Sequence, residues 1–89
     1  MQEQTLEIIN KLGLHARAAT KLANTANKFS SVITISYAGK DIDAKSIMSL
    51  MLLAAAKGSI ITIRSEGSDE HKALAEISAL INNRFEEEE

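Results

Sequence analysis

A histidine followed two residues later by an arginine is the part of this sequence that could do chemistry. His15 stands where a strand is expected to end and a helix to begin, so the first N–H groups of the helix, those of Ala16 and Arg17, point back toward its ring. Such a helix end carries about half a positive charge and binds anions. An arginine guanidinium can hold two phosphate oxygens at once. Because a neutral imidazole has a free lone pair, these residues predict a phosphoryl group carried on His15.

The residues around His15 speak against hydrolytic or thiol chemistry. No Asp, Glu or second His lies close to it in sequence, which leaves a Ser-His-Asp hydrolase poorly supported, and an imidazole that attacks phosphorus needs no such base. The chain has no Cys, so disulfides, thiol catalysis and thiolate zinc sites are excluded. We expect no metal, no cofactor and no independent turnover of a small molecule. The other histidine, His71, is expected to be inert.

Composition predicts one small cytoplasmic domain. With 89 residues, 45% of them hydrophobic, the chain can bury one core. The start lacks the basic and apolar regions of a signal peptide, and the longest apolar run, residues 50–56, is far below the roughly 20 residues that span a bilayer. The net charge of −2 includes the acidic run 86–89, without which ten basic residues face eight acidic ones. That balance is too weak for nucleic-acid binding. The acidic run is expected to be a solvated, frayed end, with a functional acidic tail as the alternative.

Hydropathy periodicity predicts the order β-α-β-β-α-β-α. We expect strands over 5–9, 32–37, 40–44 and 59–65, and helices over 16–28, 47–56 and 70–83. Gly13 is the hinge before the first helix, Ser46 is the N-cap of the second, and Gly58 is its stop. The fold class is therefore α+β, with the helices packed on one face of a mostly antiparallel four-stranded sheet.

The apolar positions of the three helices predict the core. The first and last helices repeat at three- and four-residue spacing, whereas the second is apolar on nearly all sides. Its Leu50, Leu53 and Ala54 are expected in the core, which leaves Ile47, Met48 and Met51 as an exposed, adaptable patch. The expected core positions of the other two helices are Ala19, Leu22, Ala23, Ala26, Phe29, Ala73, Leu74, Ile77, Leu80 and Ile81.

Two segments, Gly13-Leu14-His15-Ala16-Arg17-Ala18-Ala19 and Lys45-Ser46-Ile47-Met48-Ser49-Leu50-Met51, carry a resemblance to a known family. With the element order, they make the chain similar to the histidine-containing phosphocarrier proteins called HPr, which form an open-faced β-sandwich. The resemblance implies that His15 accepts a phosphoryl group on Nδ1 from Enzyme I, with Arg17 as its charge partner, and passes the group to IIA domains. It also implies a monomeric domain over residues 1–85, followed by the acidic tail 86–89.

The resemblance further implies where partners dock and how the protein is regulated. Docking would use the apolar patch with Lys45 and Thr20. Apart from the resemblance, the basic residues Lys21, Lys28, Lys40, Lys45 and Lys57 either ring the site in part and steer acidic partners or, for most of them, are simply solvated. Ser46 either serves only as an N-cap or is also phosphorylated by an HPr kinase/phosphorylase, which would put a negative charge on that surface. Two positions depart from the family pattern, since Ala18 replaces a usual Pro and Ser49 a common Gly.

Three functional questions stay open at the level of sequence. Residues 45–48 look like the carbon-regulation branch of the family, whereas residues 52–58 look like the nitrogen-related paralogue, NPr. A small-ligand regulatory domain of the same topology is an alternative from a different class. An RNA-binding sheet is nearly excluded, because only Tyr37 among the aromatic residues falls in an expected strand.

Overall fold

Four antiparallel strands form a single sheet in the computed structural model, which describes residues 1–88. The strand order is β1-β4-β2-β3, so β4 is flanked by both β1 and β2. The elements are β1 (Gln2–Glu7), α1 (Ala16–Ala26), β2 (Val32–Tyr37), β3 (Lys40–Asp43), α2 (Ile47–Leu53), β4 (Ile60–Glu66), α3 (Glu70–Asn82) and a short 3₁₀ turn (Arg84–Glu86). The α+β class and the expected order of strands and helices are confirmed.

The two faces of the sheet differ sharply in polarity. Alternate residues point to opposite faces, and on the face that the helices cover they are the fully buried Ile33 and Ile35 of β2 and Ile61 and Ile63 of β4. The other face is mostly polar, with Thr5 and Thr62 hydroxyls 3.2 Å apart on neighbouring strands, and it also carries the exposed Val32 and Ile60. The sheet is therefore covered by helices on one side only.

Helix α1 packs with the periodicity that the sequence predicts. Ala19, Leu22, Ala23 and Ala26 are all buried, as is Phe29 just beyond the helix. Small alanine side chains let the helix backbone lie close to the layer beneath it. The helix ends at Ala26 instead of residue 28, because the side chain of Asn27 donates a hydrogen bond of 2.8 Å to the Ala23 carbonyl and caps the last turn.

Helix α3 follows its expected pattern almost throughout. Ala73, Leu74, Ile77 and Ile81 are buried, whereas Leu80 is only partly buried at the edge of the core. The helix ends at Asn82, one residue before the expected limit.

Helix α2 is three residues shorter than expected. It ends at Leu53, and Ala54 adopts a left-handed conformation with φ of 54°. Leu50 and Leu53 are buried as expected, but the expectation for Ala54 is wrong, since it is exposed and Ala55 is buried in its place. The segment after α2 is tied to another part of the fold, because the carbonyl of Ala55 accepts a hydrogen bond from the backbone N–H of Leu14.

Strand β1 is displaced toward the N-terminus relative to its expected span of 5–9. It ends at Glu7, and Ile8 is bonded instead to the turn before β4: its N–H donates to the Ser59 carbonyl at 2.9 Å, and its carbonyl accepts from the Gly58 N–H at 2.7 Å. Ile8 is still fully buried, as its place in the alternation predicts. The other strand limits agree with expectation to within one residue. Each helix in residues 1–88 is too short or too polar to cross a bilayer.

Candidate functional site

His15 is the N-cap residue of α1. Its backbone is extended, with φ of −76° and ψ of 177°, and its carbonyl accepts the first bond of the helix from the Ala19 N–H at 2.8 Å. The loop before it is held at both ends, by a 2.8 Å hydrogen bond from the Asn10 side chain to the Gly13 carbonyl and by the 2.9 Å bond from Leu14 to Ala55. The imidazole is therefore placed by fixed backbone, and its side chain is 26% exposed.

Gly13 is required by the close approach of this loop to the segment after α2. Its φ is +63°, a conformation that other residues adopt only with strain. A Cβ at this position would lie 2.5 Å from the Ala55 carbonyl oxygen and 2.8 Å from the Ala56 Cα. The expected hinge is thus a point of tight backbone packing next to the histidine.

A cleft of about 610 Å³ opens beside His15, and Ala16 and Arg17 line it, as the sequence predicts. The N–H groups of Ala16 and Arg17 belong to the first turn of α1, whose donors have no partner within the helix. Arg17 is exposed, and its guanidinium charge faces the same cleft. These groups place N–H donors and a guanidinium beside one imidazole, which suits a phosphoryl group. The carboxylates of Glu87 and Glu88 line the same cleft. Lys11 and Leu12 complete the wall on the loop side.

Glu87 and Glu88 of the C-terminal tail line this cleft, so the expectation of a solvated, frayed end is wrong for Glu87, while Glu89 lies outside the described residues. The Glu87 carboxylate makes a short hydrogen bond with Nε2 of His15 and accepts a second from Asn10 Nδ2 at 3.0 Å. Its side chain is only 14% exposed. Burial raises the pKa of the Glu87 carboxyl, but the hydrogen bonds from Asn10 and His15 and the charge of Arg17 outweigh burial and hold the pKa below its ordinary value. The carboxylate is therefore ionised at neutral pH.

A buried aromatic residue anchors the tail. Phe85 is completely buried, and its carbonyl accepts a 2.8 Å hydrogen bond from the Lys21 ammonium. The ammonium also lies 3.6 Å from the Glu86 carboxylate. Sequence reasoning missed this arrangement because a run of glutamates is usually solvated; the aromatic residue directly before the run was the available signal.

Ser46 caps α2 as expected. Its hydroxyl oxygen accepts a 3.2 Å hydrogen bond from the backbone N–H of Ser49. The ammonium of the adjacent Lys45 donates a 2.8 Å hydrogen bond to the Phe29 carbonyl, so this side chain is already engaged within the fold and is less available for docking. Thr20 is exposed on α1, and its hydroxyl donates to the Ala16 carbonyl at 2.8 Å.

The apolar patch expected on α2 is exposed. Ile47, Met48 and Met51 are 39%, 67% and 43% exposed, and they follow one face of the helix at three- and four-residue spacing. Met51 lines a second, shallower cleft together with His15 and Leu12, whereas Ile47 and Met48 do not line it. Sequence reasoning missed two further apolar residues of this surface, Leu12 and Leu52, which are 65% and 74% exposed.

The remaining candidates lie apart from the cleft. His71 is exposed on α3. Lys28 lies 3.7 Å from Glu76, so it pairs with α3. Within residues 1–88, no group of three or more His, Asp or Glu side chains is placed to hold a metal ion.

Comparison with known proteins agrees with this geometry. A family model described as "PTS HPr component phosphorylation site" matches residues 2–83. The chain is 51% identical to a phosphocarrier protein HPr of Xylella fastidiosa over 99% of both chains, and 47% identical to one of Neisseria meningitidis over the full length of both.

Solved structures give the same result for the fold. An HPr crystal structure from Thermoanaerobacter tengcongensis has a TM-score of 0.96 and 44% identity, and both chains are covered completely. A structure described as an HPr dimer from the same organism has a TM-score of 0.79, with 98% of this chain and 100% of that chain covered. The match covers the histidine, the arginine and all four strands, and this chain belongs to the HPr family of phosphocarrier proteins.

Proposed function

We propose that His15 accepts a phosphoryl group on Nδ1 from phosphorylated Enzyme I and passes it to IIA proteins in the cytoplasm. The observation that carries the proposal is the position of the ring, at the start of α1 in a cleft that it shares with Arg17. The ring has no hydrogen bond at Nδ1 to any of residues 1–88, so this nitrogen is available to attack phosphorus.

The first-turn N–H groups and the Arg17 guanidinium are the phosphate ligands in this proposal. The phosphoryl group adds a charge near −2 at neutral pH, and these donors would stabilise it at the surface, where the next protein can reach it. Ala18 stands where the family usually has Pro; it is fully buried and continues the helix, so the first turn that supplies the N–H donors is formed without a proline.

Labelling with phosphoenolpyruvate tests the proposal directly. Incubation with Enzyme I and phosphoenolpyruvate should add one acid-labile phosphoryl group, measured by intact mass. His15→Ala should remove the label and His71→Ala should keep it, which makes the second histidine a matched control. A label that persists in His15→Ala overturns the assignment.

The docking of both partners is assigned to the exposed apolar surface formed by Leu12, Ile47, Met48, Met51 and Leu52. Met51 and Leu12 line one cleft with His15, so a protein seated on this surface would lie next to the ring. Flexible methionines let one surface fit several partners. The two branches of the family are separated by offering the phosphorylated protein to a sugar-type and a nitrogen-type IIA domain side by side and comparing transfer rates.

Regulation at Ser46 is a separate part of the proposal. The side chain is partly exposed at the start of α2, beside the apolar surface. A phosphate there would bring negative charge to the docking region and weaken the binding of an acidic partner. Incubation with an HPr kinase and ATP should label the chain, with Ser46→Ala unlabelled and Ser49→Ala labelled; a labelled Ser46→Ala contradicts the assignment.

A further inference from the structure

The contact between His15 and Glu87 joins two residues that are 72 positions apart in sequence. The carboxylate meets the ring at Nε2, and both side chains are largely withdrawn from water, at 26% and 14% exposure. A surface ion pair between mobile side chains would be worth little. Here other contacts of the fold hold both His15 and Glu87 in place, so the contact between them is part of the folded structure.

The tail backbone shows how firmly Glu87 is held. Arg84, Phe85 and Glu86 all have positive φ, between 54° and 65°, which residues other than glycine adopt only when the surrounding structure requires it. The burial of Phe85 and its bond from Lys21 supply that requirement. The Asn10 side chain then bridges the loop and the tail, since it donates to the Gly13 carbonyl and to the Glu87 carboxylate.

An ionised carboxylate at Nε2 decides where the proton of the neutral ring lies. A carboxylate accepts hydrogen bonds and cannot donate one, so Nε2 must carry the proton and Nδ1 must carry the lone pair. The same logic applies to imidazoles oriented by a carboxylate in other enzymes, where the carboxylate also stabilises the imidazolium that forms during the reaction.

We propose that Glu87 is a positioning residue for phosphoryl transfer, which holds the proton of His15 on Nε2 and stabilises the imidazolium formed when Nδ1 is phosphorylated. The inference rests on the proposed function of His15. It adds a residue from the C-terminal tail to a site otherwise formed by the loop before α1 and the first turn of that helix.

Phosphoryl transfer to and from Nδ1 of His15 requires no proton to leave or join the ring. The Nδ1 lone pair forms the new N–P bond, the bond between phosphorus and the donor protein breaks, and the donor keeps that electron pair. The ring, still protonated on Nε2, becomes an imidazolium facing the Glu87 carboxylate. In the onward transfer the N–P bond pair returns to Nδ1, and the ring leaves as neutral imidazole with its proton still on Nε2.

The charges around the ring make this carboxylate important. Lys11 from the loop and Arg17 from α1 line the same cleft, and their positive charges oppose an imidazolium. Glu88 also lines this cleft, but the carboxylate hydrogen-bonded to the ring is that of Glu87. The second cleft beside the ring is lined on its α2 side by Met51 and the alanines 54–56, which carry no charge. Removal of the Glu87 charge should therefore favour loss of the ring proton in the phosphorylated protein.

Glu87→Gln in the full chain tests the inference, with Glu86→Gln as a control that makes the same charge change on the neighbouring residue. Glu86 is 64% exposed and pairs with Lys21 instead of the histidine. We expect single-turnover transfer from phosphorylated Enzyme I to be about tenfold slower in Glu87→Gln, the size of one charge-assisted hydrogen bond, and the loss to grow from about pH 6 to about pH 9. Glu86→Gln should keep the rate and pH profile of the unmodified chain.

A second measurement separates this inference from the function on which it rests. Nitrogen-15 NMR of the unphosphorylated ring reports the tautomer without any phosphoryl transfer. His15 should be protonated on Nε2 alone in the natural chain and should show both tautomers in Glu87→Gln, with the exposed His71 unchanged.

A Glu87→Gln variant with the natural rate and tautomer overturns the positioning role and leaves the phosphocarrier assignment intact. A Glu87→Gln variant that accepts the phosphoryl group faster than the natural chain also overturns the positioning role, because the carboxylate would then compete with the phosphoryl group for the cleft. Failure of the natural chain to take a label at His15 overturns the function itself.

Discussion

The backbone N–H of Leu14 donates a 2.9 Å hydrogen bond to the carbonyl of Ala55, and this bond ties the loop before His15 to the segment that follows α2. One end of the bond belongs to the residue directly before the histidine. The other belongs to the segment directly after the exposed apolar helix. The position of the ring relative to the docking surface therefore depends on a backbone contact that Gly13 makes possible.

Gly13→Ala should destabilise the protein by about 2 kcal/mol or more, because it combines positive-φ strain with a clash against the backbone of residues 55 and 56. Urea unfolding measures the loss. Gly39→Ala is the matched control, since Gly39 also has positive φ but a Cβ there meets nothing within 4 Å. Equal losses in the two variants would show that close packing at residue 13 contributes nothing beyond strain.

Acid stability should depend on Asp69. Its carboxylate accepts hydrogen bonds from the Ser31 hydroxyl and from the backbone N–H groups of Ser30 and Ser31, both at 3.0 Å. These bonds, that of the Ser31 hydroxyl first, lower the pKa of Asp69 to about 2 from an ordinary value of 3.8. Because the pKa of Asp69 is lower in the folded chain than in the unfolded chain, the ionised carboxylate stabilises the fold at pH values above 3.8. This stabilisation is lost as the pH falls through about 2.

Asp69→Asn removes this contribution and gives a test with a definite sign. The variant should be less stable than the natural chain at neutral pH, and the difference between the two should shrink as the pH falls from 3.8 to about 2. Urea unfolding at several pH values measures it. A difference that stays constant over that range would mean that the ionised form of Asp69 is not what the serines stabilise.

Phe85→Ala should release the tail as well as destabilise the core. Loss of a fully buried phenylalanine usually lowers the free energy of unfolding by about 3 kcal/mol or more. Since Phe85 anchors Glu87, the variant should also show the mixed His15 tautomers expected of Glu87→Gln. If its tautomer is natural despite the lost stability, the tail is held in place by Asn10 and Lys21 alone.

Ser46→Ala should cost about 1 kcal/mol of stability, the usual value of a serine N-cap. Ser49→Ala keeps the backbone N–H that Ser46 caps, so it should change stability by less than about half that value. Chemical denaturation of the two variants compares them directly. Equal effects would show that the cap does not stabilise α2.

Arg17→Gln should slow phosphoryl transfer to His15 by at least about tenfold, because the neutral side chain loses the charged, bidentate phosphate contact. Arg17→Lys keeps the charge but not the planar fork, so its rate should lie between. Arg64→Gln is the control, since Arg64 pairs with Asp41 on the open face of the sheet, away from the cleft. A natural rate in Arg17→Gln would remove arginine from the proposed phosphate ligands.

Local periodicity was sufficient to predict the elements that bury one regular face. Helix α1 follows from its three- and four-residue periodicity and strand β2 from its alternation, and Ser46 was predicted as the N-cap of α2 because its bond lies within a few residues. The end of α1 was expected at residue 28 and lies at Ala26. The same holds for the pairing of His15 with Arg17, which depends only on their position at a helix start. Both the fold class and the centre of the site were accessible for this reason.

Long-range contacts account for what could not be predicted. Residues 54–56 leave the expected helix, and the Ala55 carbonyl accepts a hydrogen bond from Leu14, about 40 positions before it in the chain. No pattern within residues 47–56 reports that long-range contact. Glu87 reaches His15 because the tail folds back onto the domain, where Phe85 is buried and its carbonyl accepts a hydrogen bond from Lys21 of α1. A glutamate run carries the same local signal whether it is solvated or folded back.

The order of the strands has a consequence for how the chain can be synthesised. Strand β4 lies between β1 and β2, yet it is the last strand to leave the ribosome. Until residue 66 is available, β1 has no neighbour, and only the β2–β3 hairpin can form from the sheet. Contacts between β1 and β4 close a loop of more than 50 residues, which slows folding relative to helical proteins of this size. The histidine is made early, but its supporting structure assembles only when nearly the whole chain is present.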